Sequence, residues 1–271
     1  MDATNATRRS FLCTTGAAVP AVLASAVAGA RAPAPDETGT LSEQVERLSS
    51  RLAILEDTNA IRGLHHAYGQ YLDRGLHEEI VNLFAEDAEV TFNGGRFFGR
   101  DKGIRRLYVD RLGQGVAPAS NGPVHGFLLD QTQEQGRIEV APDRRSARAR
   151  SHCLIHAGAR LAAQGSLMEM ARLQGQGTAE WWEGGVYENA YVRIDGAWKI
   201  WRLDYRPIWQ ADYALGWSHA RPGDLAPFST TYPEDPSGPD ALIAESDRHR
   251  PDTRVATFRH PHPVTRSFWQ A

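Results

Sequence analysis

A chain of 271 residues with 30 Lys and Arg against 33 Asp and Glu carries a net charge of −3, and that balance lacks the clustered cationic excess that binding a phosphate backbone requires. Hydrophobic residues at 41% and charged residues at 23% exclude a largely disordered chain and leave room for one large or two small domains. Two cysteines, Cys13 and Cys153, provide neither a disulfide framework nor a Cys-rich zinc site.

Thr7-Arg8-Arg9-Ser10-Phe11-Leu12 places paired arginines ahead of an apolar pair. A weakly apolar, Ala- and Gly-rich run follows, and Ala28-Gly29-Ala30 offers the small residues a signal peptidase accepts. This order resembles a twin-arginine export signal, so residues 1–30 are expected to be removed and residues 31–271 to work in the periplasm or beyond. A membrane anchor fits less well, because the run is short and interrupted by Pro20. No later stretch is apolar for long enough to span a bilayer, so no membrane association is expected after cleavage.

Residues 31–40 hold Pro33, Pro35 and Gly39 and read as a linker. Leu41, Val45, Leu48, Leu52 and Leu55 then recur with spacing 4, 3, 4, 3, which predicts a helix over 41–56. Two heptads are too few to establish a coiled coil, and a helix packed on its own domain or on a neighbouring subunit is the favoured reading. Asp57-Thr58-Asn59 offers N-caps for a second helix, whose apolar face is Ile61, Leu64, His65, Tyr68 and Leu72 and whose stop is Gly75. Ile80, Val81 and Phe84 predict a short third helix, 88–92 a strand, Gly94-Gly95 a turn and 101–112 another helix.

After a loop rich in Gly, Pro and Ser at 113–123, the pattern changes to strands at 125–131, 135–141, 146–158, 179–194 and 197–208, with Asp195-Gly196 as a hairpin turn. Residues 161–178, with Met168, Met170 and Leu173, read as a lid or mouth loop. The segment 210–271, rich in Pro, Arg and His, reads as an extension that wraps the domain or a neighbouring subunit. Helices first and long antiparallel strands afterwards predict an α+β domain over 57–209, in which a curved sheet forms a cone closed by the N-terminal helices around an apolar-lined pocket. No GxGxxG, P-loop, GxSxG, HExxH or EF-hand pattern occurs, so nucleotide-dependent and serine-hydrolase chemistry have no support.

The segments Tyr68-Gly69-Gln70-Tyr71-Leu72-Asp73-Arg74-Gly75 and Val81-Asn82-Leu83-Phe84-Ala85-Glu86-Asp87-Ala88-Glu89-Val90 resemble the opening of SnoaL-like domains of the nuclear-transport-factor-2-like superfamily. Ile194-Asp195-Gly196-Ala197-Trp198-Lys199-Ile200 resembles the penultimate hairpin of the same fold. The resemblance covers residues 57–209 and implies an NTF2-like, cystatin-like α+β barrel; this fold hosts isomerases, dehydratases, hydrolases and simple binders. Within it the layout is similar to scytalone dehydratase. Pro123-Val124-His125-Gly126-Phe127 resembles the segment carrying one catalytic histidine, Ser151-His152-Cys153-Leu154-Ile155-His156 the strand carrying a second, and Asp73 stands at the position of a catalytic aspartate. The tyrosine positions of that enzyme read Leu72 and Phe92, and its site asparagine aligns with Tyr187, two residues before Asn189. The charged groups therefore carry over while the water-holding tyrosines do not, which argues against scytalone itself.

His125 titrates near neutral pH and can give or take a proton in a closed pocket. Asp73 ends an apolar helix face and can orient an imidazole, although a salt bridge with Arg74 or a cap is an equal alternative. Period-2 alternation puts the small residues Ala149, Ser151, Cys153, Ile155 and Ala157 on one face of their strand and His152 and His156 on the other, whereas the resemblance puts His156 inside; both readings stay open. Tyr187 shares a strand face with Asn189, Tyr191 and Arg193 and can bind a phenol or a developing oxyanion. Tyr68, Phe92, Asn189 and Trp209 are candidate substrate contacts. His65-His66 diverge on a helix and His260-Pro261-His262 lies in the extension, so a metal is disfavoured.

The expectation is a lyase without cofactor or metal, acting by general acid–base catalysis on a hydrophobic phenolic or aromatic small molecule. His125 moves the proton, Asp73 orients it, Tyr187 holds an oxygen and His156 completes the set. Formaldehyde-releasing cleavage of a lignin-derived diarylpropane to a stilbene is the specific form, a reaction known among relatives in the superfamily. A dehydratase or isomerase of a polyketide- or steroid-like ring and a non-catalytic binding protein are the alternatives. No nucleic acid is expected as partner, and a homodimer or homotrimer is.

Overall fold

The computed structural model describes residues 39–113, 127–159, 180–216, 228–243, 264, 265 and 267. The segment resembling an export signal, the linker up to residue 38, the loop holding His125 and the expected lid at 161–178 all lie outside the described residues. The chain divides into two compact units, Met1–Ser50 and Arg51–Ala271.

Helix α1 runs unbroken over Leu41–Asp73, beginning in the first unit and ending in the second. Its start is a capping box: Thr40 Oγ1 accepts from the Glu43 N–H at 3.4 Å, and Glu43 Oε2 accepts from the Thr40 N–H at 2.7 Å. Its end is a Schellman turn, with Gly75 at a φ of 64° and the Leu76 N–H donating to the Tyr71 carbonyl at 2.9 Å. Asp57-Thr58-Asn59 does not break the helix. Asp57 is buried and its carboxylate faces inward, accepting from Arg144 Nε at 2.5 Å, Arg193 Nη1 at 3.2 Å and Trp198 Nε1 at 3.1 Å. A side chain satisfied by distant residues has no reason to cap its own backbone. From Asp57 onward the buried residues Asp57, Ile61, His65 and Tyr68 form the domain-facing stripe.

Helix α2 (His77–Asn82) buries Ile80 and Val81. Strand β1 (Phe84–Phe92) starts four residues earlier than its sequence pattern suggests, because Phe84, Ala85 and Ala88 are themselves buried. A tight turn at Asn93 and Gly94, both at positive φ, leads to β2 (Gly95–Phe98), where only a turn was expected. Two wide helical segments with π-type winding follow, α3 (Gly99–Ile104) and α4 (Arg106–Leu112). Strands β3 (Phe127–Val140), β4 (Ser146–Ala159), β5 (Glu180–Ile194) and β6 (Ala197–Asp212) then run as long antiparallel neighbours, and β7 (Ala241–Leu242) adds a short edge.

The sheet order is β3-β4-β5-β6-β1-β2-β7, with β1 parallel to β6 and every other pair antiparallel. The two ends do not pair, so the sheet curves without closing into a barrel. Register shifts in β3, β6 and β1 bend it. Two candidate strands, 125–131 and 135–141, are one strand with a kink at Gln135, which sits at a φ of 52°. One core joins α1, α2, α4 and the inner sheet face through Ile61, Phe84, Leu107 and Ile200, each worth roughly 2 kcal/mol on burial. The segment 228–243 ties onto the domain: Arg106 donates to the Gly238 carbonyl at 2.8 Å and to Asp240 at 2.6 Å.

Candidate functional site

On β4 the alternation settles the direction of each side chain. Ser151, Cys153, Ile155 and Ala157 are buried on the inner face, while His152 is exposed on the other. His156 shares that outer face, with its ring edge-on to Trp182 at 4.5 Å and Nδ1 3.4 Å from Asp130. The structure thus sets His156 apart from the inner cluster, as period-2 packing of small residues demands.

The inner face is not simply apolar. Gln131 of β3, Cys153 of β4, Glu183, Tyr187 and Asn189 of β5 and Gln210 of β6 are all buried there, beneath His65 and Tyr68 of α1. Register lines up Gln131, Ile155, Glu183 and Gln210 in one row across four strands. Asp73, at the last position of α1, reaches this row: its Oδ1 accepts from the Gln131 N–H at 3.0 Å. Burial, relieved in part by that hydrogen bond, pushes the Asp73 carboxyl up to about 6.

Gln131 Nε2 donates to the Tyr187 hydroxyl, and Gln131 Oε1 is buried with no hydrogen-bond partner. Tyr68 and Tyr108 hydroxyls lie 3.0 Å apart, and the Tyr68 and Tyr187 rings meet edge-on at 6.1 Å. Burial raises the Tyr68 phenol to about 12 and holds those of Tyr187 and Tyr205 well above their ordinary value. All are neutral hydroxyls at physiological pH.

Glu183 is the group that sequence reasoning missed. It is buried, its Oε1 accepts from the Tyr205 hydroxyl at 2.6 Å, and Gln210 Nε2 lies 3.4 Å from its Oε2. Burial pushes its carboxyl up to about 7, opposed by the Tyr205 hydrogen bond. Room for Tyr205 comes from Gly185, on which a Cβ would stand 2.5 Å from the Tyr205 hydroxyl; Gly184, of opposite parity, instead makes room for the Trp209 indole on the outer face. A signal was available, since Glu183 has the same parity as Tyr187, Asn189 and Tyr191. Among the described residues neither Asp73 nor Glu183 forms an ion pair with a cationic side chain, unlike Asp57 and Glu188.

Asn189 serves a histidine. Its Oδ1 accepts from the Asp204 N–H at 3.3 Å, which fixes the amide orientation. Its Nδ2 therefore donates to His65 Nδ1 at 3.3 Å, and His65 Nε2–H donates to Ser151 Oγ at 3.0 Å. Burial, with a small contribution from His66, lowers His65 to about 4, so it is a neutral, fully bonded ring. On the solvent side of His65 a small cavity of about 100 Å³ opens between α1 and the kinked end of β3.

The structure thus brings Asp73, Tyr68 and Tyr187 together and keeps Asn189 beside them as the partner of His65. Trp209 lies half-buried against Gly184 on the outer sheet face, opposite the side that holds Glu183 and Tyr205. Phe92 packs at the end of β1, separated from β5 by β6. His125 lies outside the described residues. Among those residues no three His, Cys, Asp or Glu side chains converge to hold a metal ion.

Solved structures with similar folds include a candidate scytalone dehydratase from Novosphingobium aromaticivorans (21% identity, TM-score 0.45, covering 68% of this chain and 99% of that one). An NTF2-like protein with a cystatin-like fold from the same organism matches at 19% identity and a TM-score of 0.41, covering 62% of this chain and 91% of that one. The hexachlorocyclohexane dehydrochlorinase LinA-type3 from Novosphingobium barchaimii matches at 19% and 0.42, covering 63% and 94%. No curated protein matches the chain. The SnoaL-like domain model matches residues 53–204, more than half of the length, and the chain belongs to that family.

Proposed function

We propose that this protein is a cofactor-independent lyase that performs acid–base elimination on a hydrophobic phenolic small molecule. One observation carries the reading: two carboxyl groups, Asp73 and Glu183, face the domain interior without a cationic partner among the described residues, and both hold their protons into the neutral range. An elimination needs one group that takes a proton and one that gives a proton at the same pH, and carboxyls near 6 and 7 can divide that work. Tyr187 and Tyr68 supply neutral hydroxyls to bind a phenol or carbonyl oxygen, and the unpartnered Gln131 Oε1 accepts a hydrogen bond from a substrate hydroxyl. His125 is assigned the proton shuttle, with Asp73 to orient it, on the strength of the family resemblance alone.

The specific substrate proposed is a lignin-derived diarylpropanediol. The base removes the proton of the terminal hydroxyl, the carbon–carbon bond to that carbon breaks with release of formaldehyde, and the electron pair forms the stilbene double bond. The benzylic hydroxyl leaves as water with a proton from the acid. One proton is taken and one given, so no oxidant, reductant or metal enters. Export by the twin-arginine route, to meet plant-derived aromatics outside the cytoplasm, belongs to the same proposal. Mass spectrometry of the exported protein tests that route: a chain beginning at residue 31 is the expected result, and one that keeps Met1–Ala30 overturns it.

The test is incubation of purified protein with a diarylpropanediol, following formaldehyde and stilbene, alongside Asp73→Asn and His125→Ala. Formation of both products by the wild type, with a loss of at least about 10²-fold in each variant, supports the lyase. A ligand-induced thermal shift with no turnover on this diol, or on an aryl substrate able only to lose water, reduces the protein to a binder.

A further inference from the structure

The apolar stripe at the start of α1 is exposed and has no apolar partner among the described residues. Leu41, Val45, Leu48, Leu52 and Leu55 are 77%, 54%, 61%, 57% and 60% exposed. Their spacing of 4, 3, 4, 3 is that of heptad positions d, a, d, a, d. The domain-facing stripe begins only at Asp57 and follows the different set Asp57, Ile61, His65 and Tyr68. One continuous helix therefore carries two apolar faces in succession, and the first is not covered by any described residue.

We infer that this face is a self-association seam, in which α1 of one copy pairs in parallel with α1 of a second copy. Three features of the seam select that occupant. First, the a positions of the stripe hold β-branched Val45 and Leu52, with Leu at every d position, and Val at a over Leu at d favours two parallel strands. Second, the next a position is Asn59, which is exposed, and a single asparagine at a is the residue that fixes parallel register and two-strandedness. Third, the flanking charges are self-complementary only in this arrangement. Arg51 occupies position g and Glu56 position e, five residues on, so in a parallel in-register pair each Arg51 faces the second copy's Glu56, twice over. Antiparallel pairing with Leu48 opposite Leu52 sets Arg51 against its own copy. Two heptads are a short seam, so the association is concentration-dependent rather than permanent.

Sedimentation equilibrium of the full chain over 1–200 µM tests the proposal, with three variants at exposed positions. The wild type is expected to show a monomer–dimer equilibrium, and Leu48→Glu/Leu52→Glu to weaken it at least tenfold with an unchanged circular dichroism spectrum and melting temperature. Arg51→Glu is expected to weaken association about threefold or more, and Arg51→Glu/Glu56→Arg to restore it, a rescue that general stickiness of leucines cannot produce. A wild type that stays monomeric throughout overturns the proposal, since the face is then covered by this chain itself or by a different protein. So does an association that Leu48→Glu/Leu52→Glu leaves unaltered, which locates the contact elsewhere. Failure of the charge swap to restore association overturns the parallel arrangement.

Discussion

Replacing Glu183 by glutamine should make the protein more stable, by an amount that grows as pH rises from about 4.5 to about 7. The carboxyl is buried beside Tyr205 and Gln210, and burial moves it from 4.5 to about 7. At about 1.4 kcal/mol per pH unit, ionising it inside the fold costs about 3 kcal/mol. The sign follows from proton counts. Between pH 4.5 and 7 the folded chain holds a proton at Glu183 that the unfolded chain has released, so stability falls as pH rises through that window and levels off above it. Glutamine keeps the acceptor for the Tyr205 hydroxyl and fills nearly the same volume, but it has nothing to ionise. Glu183→Gln is thus expected to match the wild type near pH 4.5 and to exceed it by up to about 3 kcal/mol at pH 8, or some 6–12 °C in melting temperature for a domain of this size. Urea unfolding of both proteins at the two pH values measures it, and taking the difference cancels every other titrating group. A variant that is less stable at pH 8, or whose advantage is the same at both pH values, refutes the argument.

Asp57→Ala removes the acceptor of Arg144, Arg193 and Trp198. The arginines are each about one-third exposed and recover water, but the Trp198 N–H is left buried, so a loss of about 2–3 kcal/mol in urea unfolding is expected. His65 is lowered to about 4 by burial, so its stabilisation is complete above pH 6.5 and lost as pH falls through 6.5 towards 4; His65→Gln should shift the acid-unfolding midpoint to lower pH. Gly185→Ala drives a methyl to within 2.5 Å of the Tyr205 hydroxyl and should cost about 1–3 kcal/mol while displacing that hydroxyl from Glu183, seen as a change in tyrosine fluorescence. Asp73→Asn keeps the acceptor for the Gln131 N–H, so thermal stability should hold at neutral pH while any turnover falls by about 10²–10⁴-fold.

Much of the fold was legible because its signals are local. Asp195-Gly196, the Gly75 stop and the alternation along β4 and β5 each act over a few residues, and each appears where the pattern puts it. The misjudged elements depend on distant partners. Asp57 looks like a cap until Arg144 from the turn between β3 and β4, Arg193 from β5 and Trp198 from β6 arrive from more than eighty residues away. β2 exists because it pairs with β1 and with the short β7 from the far end of the domain. The site was legible to the same degree. Asp73, Tyr68 and Tyr187 follow from helix and strand periodicity, whereas Glu183 needed its parity traced back past two glycines to the Trp181-Trp182 pair. Its partner Tyr205 stands beyond a register shift in β6 that no alternation rule anticipates.

The carboxyls of this domain sort into two kinds, and the sorting bears on function. Glu188 on the outer sheet face is paired with Arg150 at 2.9 Å, Asp204 with Arg206 at 2.6 Å, and Asp57 with two arginines. The Arg144 guanidinium beside Asp57 holds that carboxyl below its ordinary value. Among the described residues Asp73 and Glu183 have neutral donors, a backbone N–H for the one and the Tyr205 hydroxyl and Gln210 amide for the other, and burial pushes their carboxyls up to about 6 and about 7. Packing alone would be served better at position 183 by glutamine or an aliphatic residue, as the stability argument requires. An unpaired interior carboxyl kept at a cost of about 3 kcal/mol, with Gly185 clearing space for its tyrosine, is the arrangement the proposed acid–base role needs and one that holding the sheet together does not.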